Sequence, residues 1–122
     1  GTVLVFGGHP PSGQQTAFND LWAYSVQGNF WGAKTNLTAA GSAGYRYFHT
    51  AVISTDGRCM LVYGGQAPPG EFLDDLWCYD MPADTWSEMG ATDPPTGRLA
   101  HSAVMSNDGH MYVIAGFANL TG

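Results

Sequence analysis

The sequence predicts an all-β fold made of repeated four-stranded antiparallel sheets. Three features predict it: self-similarity at a period of 51 to 57 residues, short apolar runs punctuated by turn residues in each copy, and a composition of 17 glycines, 7 prolines and 13% aromatics with only 11% charged residues. That balance suits strands and turns rather than helices. A period of this length marks one supersecondary unit per copy, which cannot bury its apolar surface alone.

The first element to recur is Val3-Leu4-Val5-Phe6-Gly7-Gly8, which matches Met60-Leu61-Val62-Tyr63-Gly64-Gly65 at a shift of 57 (7 to 64), with Met111-Tyr112-Val113-Ile114-Ala115-Gly116 a further 51 along (64 to 115). Asn19-Asp20-Leu21-Trp22-Ala23-Tyr24 matches Asp74-Asp75-Leu76-Trp77-Cys78-Tyr79 at a shift of 55 (20 to 75). Arg46-Tyr47-Phe48-His49-Thr50-Ala51-Val52 matches Arg98-Leu99-Ala100-His101-Ser102-Ala103-Val104 at a shift of 52 (46 to 98). Loops absorb the changing shift. In the complete copy the strands are expected at 47–53, 58–64, 75–80 and 85–89. Ser54-Thr55-Asp56-Gly57 and Ser106-Asn107-Asp108-Gly109 both end in Asp-Gly, whose glycine supplies the positive φ of a tight hairpin, so the first two strands of a copy pair antiparallel. The runs 59–63 and 111–114 are continuously apolar, which predicts burial on both faces and sheets stacked on like neighbours.

These residues resemble the kelch repeat, whose marks are a glycine pair after the second strand, a tyrosine in the third and a tryptophan in the fourth. Here they are Gly7, Gly8, Tyr24 and Trp31, then Gly64, Gly65, Tyr79 and Trp86, with the same tyrosine-to-tryptophan spacing in both copies. The resemblance covers nearly the whole chain and implies kelch-type β-propeller blades of four antiparallel strands around a central channel. Residues 1–42 would supply strands two to four of one blade, 43–97 a complete blade, and 98–122 the first two strands of the next. Because propellers typically close with about four to eight blades, the expectation is an incomplete propeller, with the remaining blades in the same polypeptide. Ala115-Gly116 departs from the glycine pair, so that blade should tolerate one β-carbon there or be displaced.

Ten acidic against four basic residues give a net charge of −6, which argues against nucleic acid, whose phosphates need basic neutralisation. Membrane insertion is not expected either, since no apolar run approaches the roughly 18 residues of a spanning helix. The first residues lack the basic flank of a signal peptide. Cys59 and Cys78 fall on the second and third strands of one blade; two buried free thiols are expected, with a disulfide as the alternative. Asn36 and Asn119 open N-x-[ST] tripeptides and are candidate glycosylation sites. With a single lysine and low charge, they tilt the expectation toward a secreted protein over a cytoplasmic one.

Periodicity also sorts structure from function: a side chain repeated at one register serves the blade, whereas a working site needs residues found once. By that rule His49 and His101 are strand-entry residues, and Trp22, Trp31, Trp77 and Trp86 are inter-blade packing. The glycine pairs open no helix and lack a Walker-type lysine, so close backbone packing explains them. His9 and His110 have no metal-ligand partners at suitable spacing, and no nucleophile motif is present. Glu71, Asp74, Asp75 and Asp80 make a local acidic group, in which Asp75 repeats Asp20 and so belongs to the blade, while the rest are read as solvated carboxylates. No catalytic residues, metal or cofactor are expected.

The loops after the glycine pairs, 9–18 and 66–73, are long, proline-stiffened and tipped with aromatics, and should share one end of the blades with the blade-to-blade loops 32–45 and 90–97. Phe18, Glu71, Phe72 and Leu73 are the candidate partner-binding residues, although the phenylalanines tucking beneath their own loops is an equal reading. The leading expectation is a non-enzymatic module that binds a protein, or a glycan, in a larger assembly. An intracellular kelch adaptor is the alternative. A copper-dependent galactose oxidase shares this fold, but its Tyr, His and cross-linked Cys set has no counterpart here.

Overall fold

A computed structural model describes residues 1–11, 16–36 and 44–119. β1 (Thr2–Gly8), β2 (Phe18–Ser25) and β3 (Phe30–Lys34) form a three-stranded antiparallel sheet. β4 (Thr50–Ile53), β5 (Cys59–Tyr63), β8 (Leu76–Asp80) and β9 (Thr85–Glu88) form a four-stranded antiparallel sheet in that order. β11 (Ser102–Met105) and β12 (Met111–Ile114) form a hairpin, and two short ribbons pair β6 (Gln66–Ala67) with β7 (Glu71–Phe72) and β10 (Arg98–Leu99) with β13 (Phe117–Ala118).

Turn chemistry sets the registers. Gly57 and Gly109 take φ of +73° and +91°, and their N–H groups close the Ser54 and Ser106 turns. The spacing of the marker aromatics follows from the next hairpin, where Tyr24 lies directly opposite Trp31 and Tyr79 opposite Trp86. Five residues after each tyrosine, Asn29 and Asp84 adopt left-handed φ and accept the phenol hydroxyl at 2.7 and 2.6 Å. A short polar side chain tolerates that backbone and supplies the acceptor at once.

The first two sheets pack face to face through Phe6, Leu21, Met60, Val62 and Tyr79, with Leu4, Trp77, Met81 and Trp86 around them. Phe6 meets Trp86 at 5.0 Å and His49 at 5.3 Å. The second sheet meets the third through Tyr63 and His101, whose rings lie 5.3 Å apart, while the His101 ring hydrogen-bonds Thr50. The glycine pairs sit where this stacking is tightest. A β-carbon on Gly7 or Gly64 would lie 2.9 Å from the carbonyl oxygen of Arg46 or Arg98, and Gly8 and Gly65 donate to those same carbonyls. Close backbone contact therefore excludes a side chain at Gly7, Gly64 and Gly65, whereas a β-carbon on Gly8 would meet open space.

Arg46 is wholly buried and grips Asp75 with two hydrogen bonds of 2.8 Å while giving a third, of 3.1 Å, to the Gly64 carbonyl. Asp75 also accepts the Trp77 indole N–H, as Asp20 accepts that of Trp22. A planar guanidinium suits this two-pronged, desolvated contact.

The structure corrects the expectations for the cysteines and Asp80, and among the described residues it offers no neighbouring sheet against which the inter-blade packing of Trp22, Trp31 and the 111–114 run is tested. Cys59 and Cys78 are joined in a disulfide, because β5 and β8 pair Cys59 with Asp80 and Leu61 with Cys78, which places the cysteines on one face with Cα atoms 5.5 Å apart. Trp22 and Trp31 are exposed, since their face of the first sheet meets no other sheet among the described residues. For the same reason Tyr112 and Ile114 of β12 are exposed, and only the opposite face of that apolar run is covered. Asp80 is not merely solvated; it accepts a 3.0 Å hydrogen bond from Arg58. Ala115 adopts φ +60°, matching Gly7 and Gly64, with its methyl exposed.

Candidate partner-binding face

The loops between the second and third strands of each sheet are tied to the entry of the next sheet by a continuous set of backbone hydrogen bonds. Arg46 N donates to Phe18, Arg98 N to Leu73, Tyr47 and Gln66 exchange two bonds, and Ala100 N donates to the Phe48 carbonyl. This network gathers residues 8–11, 16–18, 46–48, 65–73, 97–100 and 116–118 at one end of the stack. Hydrogen-bonded loops on a rigid sheet are where recognition tends to reside.

The four sequence candidates separate on this face. Phe18 and Leu73 occupy the same register, each giving its carbonyl to the next arginine's N–H; Leu73 is buried at 7% exposure, whereas Phe18 is exposed. Leu73 therefore supports the loop from below and offers no contact surface. Recurrence at one register was the available signal. Glu71 is exposed and Phe72 half-buried on β7, where Phe72 packs at 6.0 Å against Phe117. Residues 12–15 of the first loop and 37–43 of the first blade-to-blade connection lie outside the described residues.

Sequence reasoning missed several side chains here. His9 stacks edge-on to Tyr47 at 4.7 Å, and Tyr47 on Phe48 at 5.1 Å. Phe48 is 54% exposed with φ +58°, and Phe117 is 64% exposed. The signal was again register. Ala100 stands where Phe48 does, Leu99 where Tyr47 does, and Gln66 where Phe117 does.

The buried histidines behave as parts of the scaffold. Burial, then the Arg46 charge, lowers the His49 pKa to about 4, against a hydrogen bond with the Phe6 backbone that favours protonation. His101 is lowered by burial and by Arg98. Burial opposes the Asp75 carboxylate, yet Arg46 and the Trp77 N–H hold it below the usual carboxylate range. His110 sits exposed 3.2 Å from Asp108. Among the described residues no three His, Cys, Asp or Glu side chains converge as metal ligands would. Among those residues, too, no helix is long and apolar enough to cross a membrane. Asn36 and Asn119 are both exposed, while Thr38 and Thr121 of their tripeptides lie outside the described residues.

Stacked antiparallel sheets locked by glycine pairs, a strand-entry arginine and facing Tyr–Trp pairs define an array of kelch-type β-propeller blades. Residues 1–121 match the KLHDC2/KLHL20/DRC7 Kelch-repeats domain, and the chain belongs to the kelch-repeat family. It is 31% identical over 121 residues to "tRNA wybutosine-synthesizing protein 2/3/4" of Oryza sativa subsp. japonica, covering 96% of this chain and 11% of that protein. It is 26% identical over 120 residues to "Beta-scruin" of Limulus polyphemus, with 95% and 12% covered. "Host cell factor homolog hcf-1" of Caenorhabditis elegans is 33% identical over 134 residues, with 97% and 16% covered. The chain thus spans about a tenth to a sixth of these relatives.

Proposed function

We propose that this chain is a non-enzymatic protein-interaction module, one part of a larger propeller whose other blades lie in the same polypeptide, and that it presents the loop end of its blades to a macromolecular partner. Kelch repeats generally serve as protein-interaction modules, which supports the reading. The observation that carries it is the set of exposed aromatics at registers where neighbouring copies have none, held by inter-sheet hydrogen bonds. Rigid loops lose little entropy on binding, and aromatic side chains contribute large contact areas. Phe18, Glu71 and Phe72 are the proposed contact residues. Ala67 and Leu73 are buried, so point substitutions test this better than loop deletion. Glu71→Ala with Phe72→Ala should sharply weaken co-purification of the native partner at unchanged melting temperature; undiminished co-purification would place the surface elsewhere.

An extracellular setting completes the proposal. The Cys59–Cys78 disulfide and the exposed Asn36 and Asn119 support it. Intact mass with and without glycosidase, and thiol counting under non-reducing conditions, test it. Two free thiols and no glycan would favour an intracellular adaptor.

A further inference from the structure

We propose that the aromatic strip at the loop end of the blades holds an extended peptide segment that bears lysine or arginine. This inference rests on the interaction reading above and adds the chemistry of the partner.

The strip runs across all three sheets. His9 contacts Tyr47, Tyr47 contacts Phe48, the Tyr47 backbone pairs with Gln66, Gln66 pairs with Phe72, and Phe72 packs on Phe117. Phe48 is its most informative member. The backbone at this register is left-handed in both copies, with φ +58° at Phe48 and +54° at Ala100, so the fold requires the conformation but not the ring. A bulky aromatic in that region is strained and is retained only where its side chain serves something else. More than half of Phe48 faces solvent, so the ring adds little to the blade's own packing.

Charge selects the occupant. Glu71 and Asp74 flank Phe72 in the chain, both exposed, and Asn19 stands where Asp74 does in the first copy. The arginines are engaged by protein oxygens: Arg46 by Asp75 and Gly64, Arg58 by Asp80, and Arg98 by the Thr96 and Ala115 carbonyls. Exposed rings on a loop end that also carries these exposed carboxylates attract a cation on both counts, through the ring quadrupole and through opposite charge.

The test is a selection of random dodecapeptides displayed on phage, performed on the full-length protein at two salt concentrations. Lysine or arginine next to apolar residues should be enriched, and the selected peptides should bind less tightly at high salt. Phe48→Asn suits the left-handed backbone, so it should weaken them by about tenfold or more while leaving the melting temperature equal or higher. Glu71→Gln with Asp74→Asn should erase the cation preference. Enrichment of acidic peptides, or binding of a glycan array in place of peptides, through side chains still sensitive to Phe72→Ala would overturn the cationic assignment and leave the interaction surface standing. Peptides indifferent to every one of these substitutions, or no enrichment at all, would overturn both.

Discussion

Truncating Arg46 to alanine would strip Asp75 of a two-pronged partner and take from the Gly64 carbonyl the N–H it accepts. Removing one side of a buried pair leaves an uncompensated charge, so Arg46→Ala should lower stability by about 3–5 kcal/mol, read from the urea midpoint. Arg46→Lys keeps the charge without the planar fork and should fall between. His49 makes the fold acid-sensitive. Its folded pKa of about 4 lies below the unfolded 6.5, so the fold favours neutral imidazole. That stability is complete above pH 6.5 and is lost as pH falls toward 4, by up to about 3 kcal/mol. The Arg46 charge and, more weakly, His101 push the same way. Asp75, whose pKa is lowered, contributes its own loss only further down, below the ordinary carboxylate range. Urea midpoints between pH 7 and 4.5 should therefore drop, and His49→Gln should flatten the drop; an unchanged slope would reassign the window.

Within the second sheet, the Cys59–Cys78 bond links neighbouring strands 19 residues apart in sequence. Closing a loop of that length restricts the unfolded chain by about 3 kcal/mol, so melting with and without reductant should differ accordingly. The glycine pair offers a contrast between equivalent positions. Gly64→Ala would place a β-carbon 2.9 Å from the Arg98 carbonyl at φ +67°, and should be destabilising by about 1–3 kcal/mol. Ala115→Gly, at the same register but exposed, should change stability by less than about 1 kcal/mol. Equal effects at the two sites would show that local backbone strain, rather than inter-sheet contact, sets the requirement.

Across the molecule, the outer sheet faces leave Val3, Val5, Trp22 and Trp31 at one side and Val104, Tyr112 and Ile114 at the other. Isolated as residues 1–122, the chain should self-associate with rising concentration in sedimentation velocity, because apolar faces of this kind seek cover. Tyr112→Lys with Ile114→Lys should shift it toward monomer. In a polypeptide that supplies neighbouring blades, the same pair should instead lower the melting temperature.

Local chemistry was readable from residue order. Asp-Gly turns, the Tyr–Trp spacing, the apolar runs and the glycine pairs each follow from φ preferences and strand alternation within a few residues, so strands and their pairing could be placed before any coordinates. What required the tertiary structure was everything that joins residues far apart. Arg46 finds Asp75 across 29 positions, Cys59 and Cys78 share a face only through the β5–β8 register, and Leu73 and Phe18 differ in exposure at one register. The aromatic strip is drawn from three sheets whose loops meet only once backbone contact at the glycine pairs has stacked them. Sequence order records the propensity of each segment; which side chains end up adjacent depends on how the sheets close on one another.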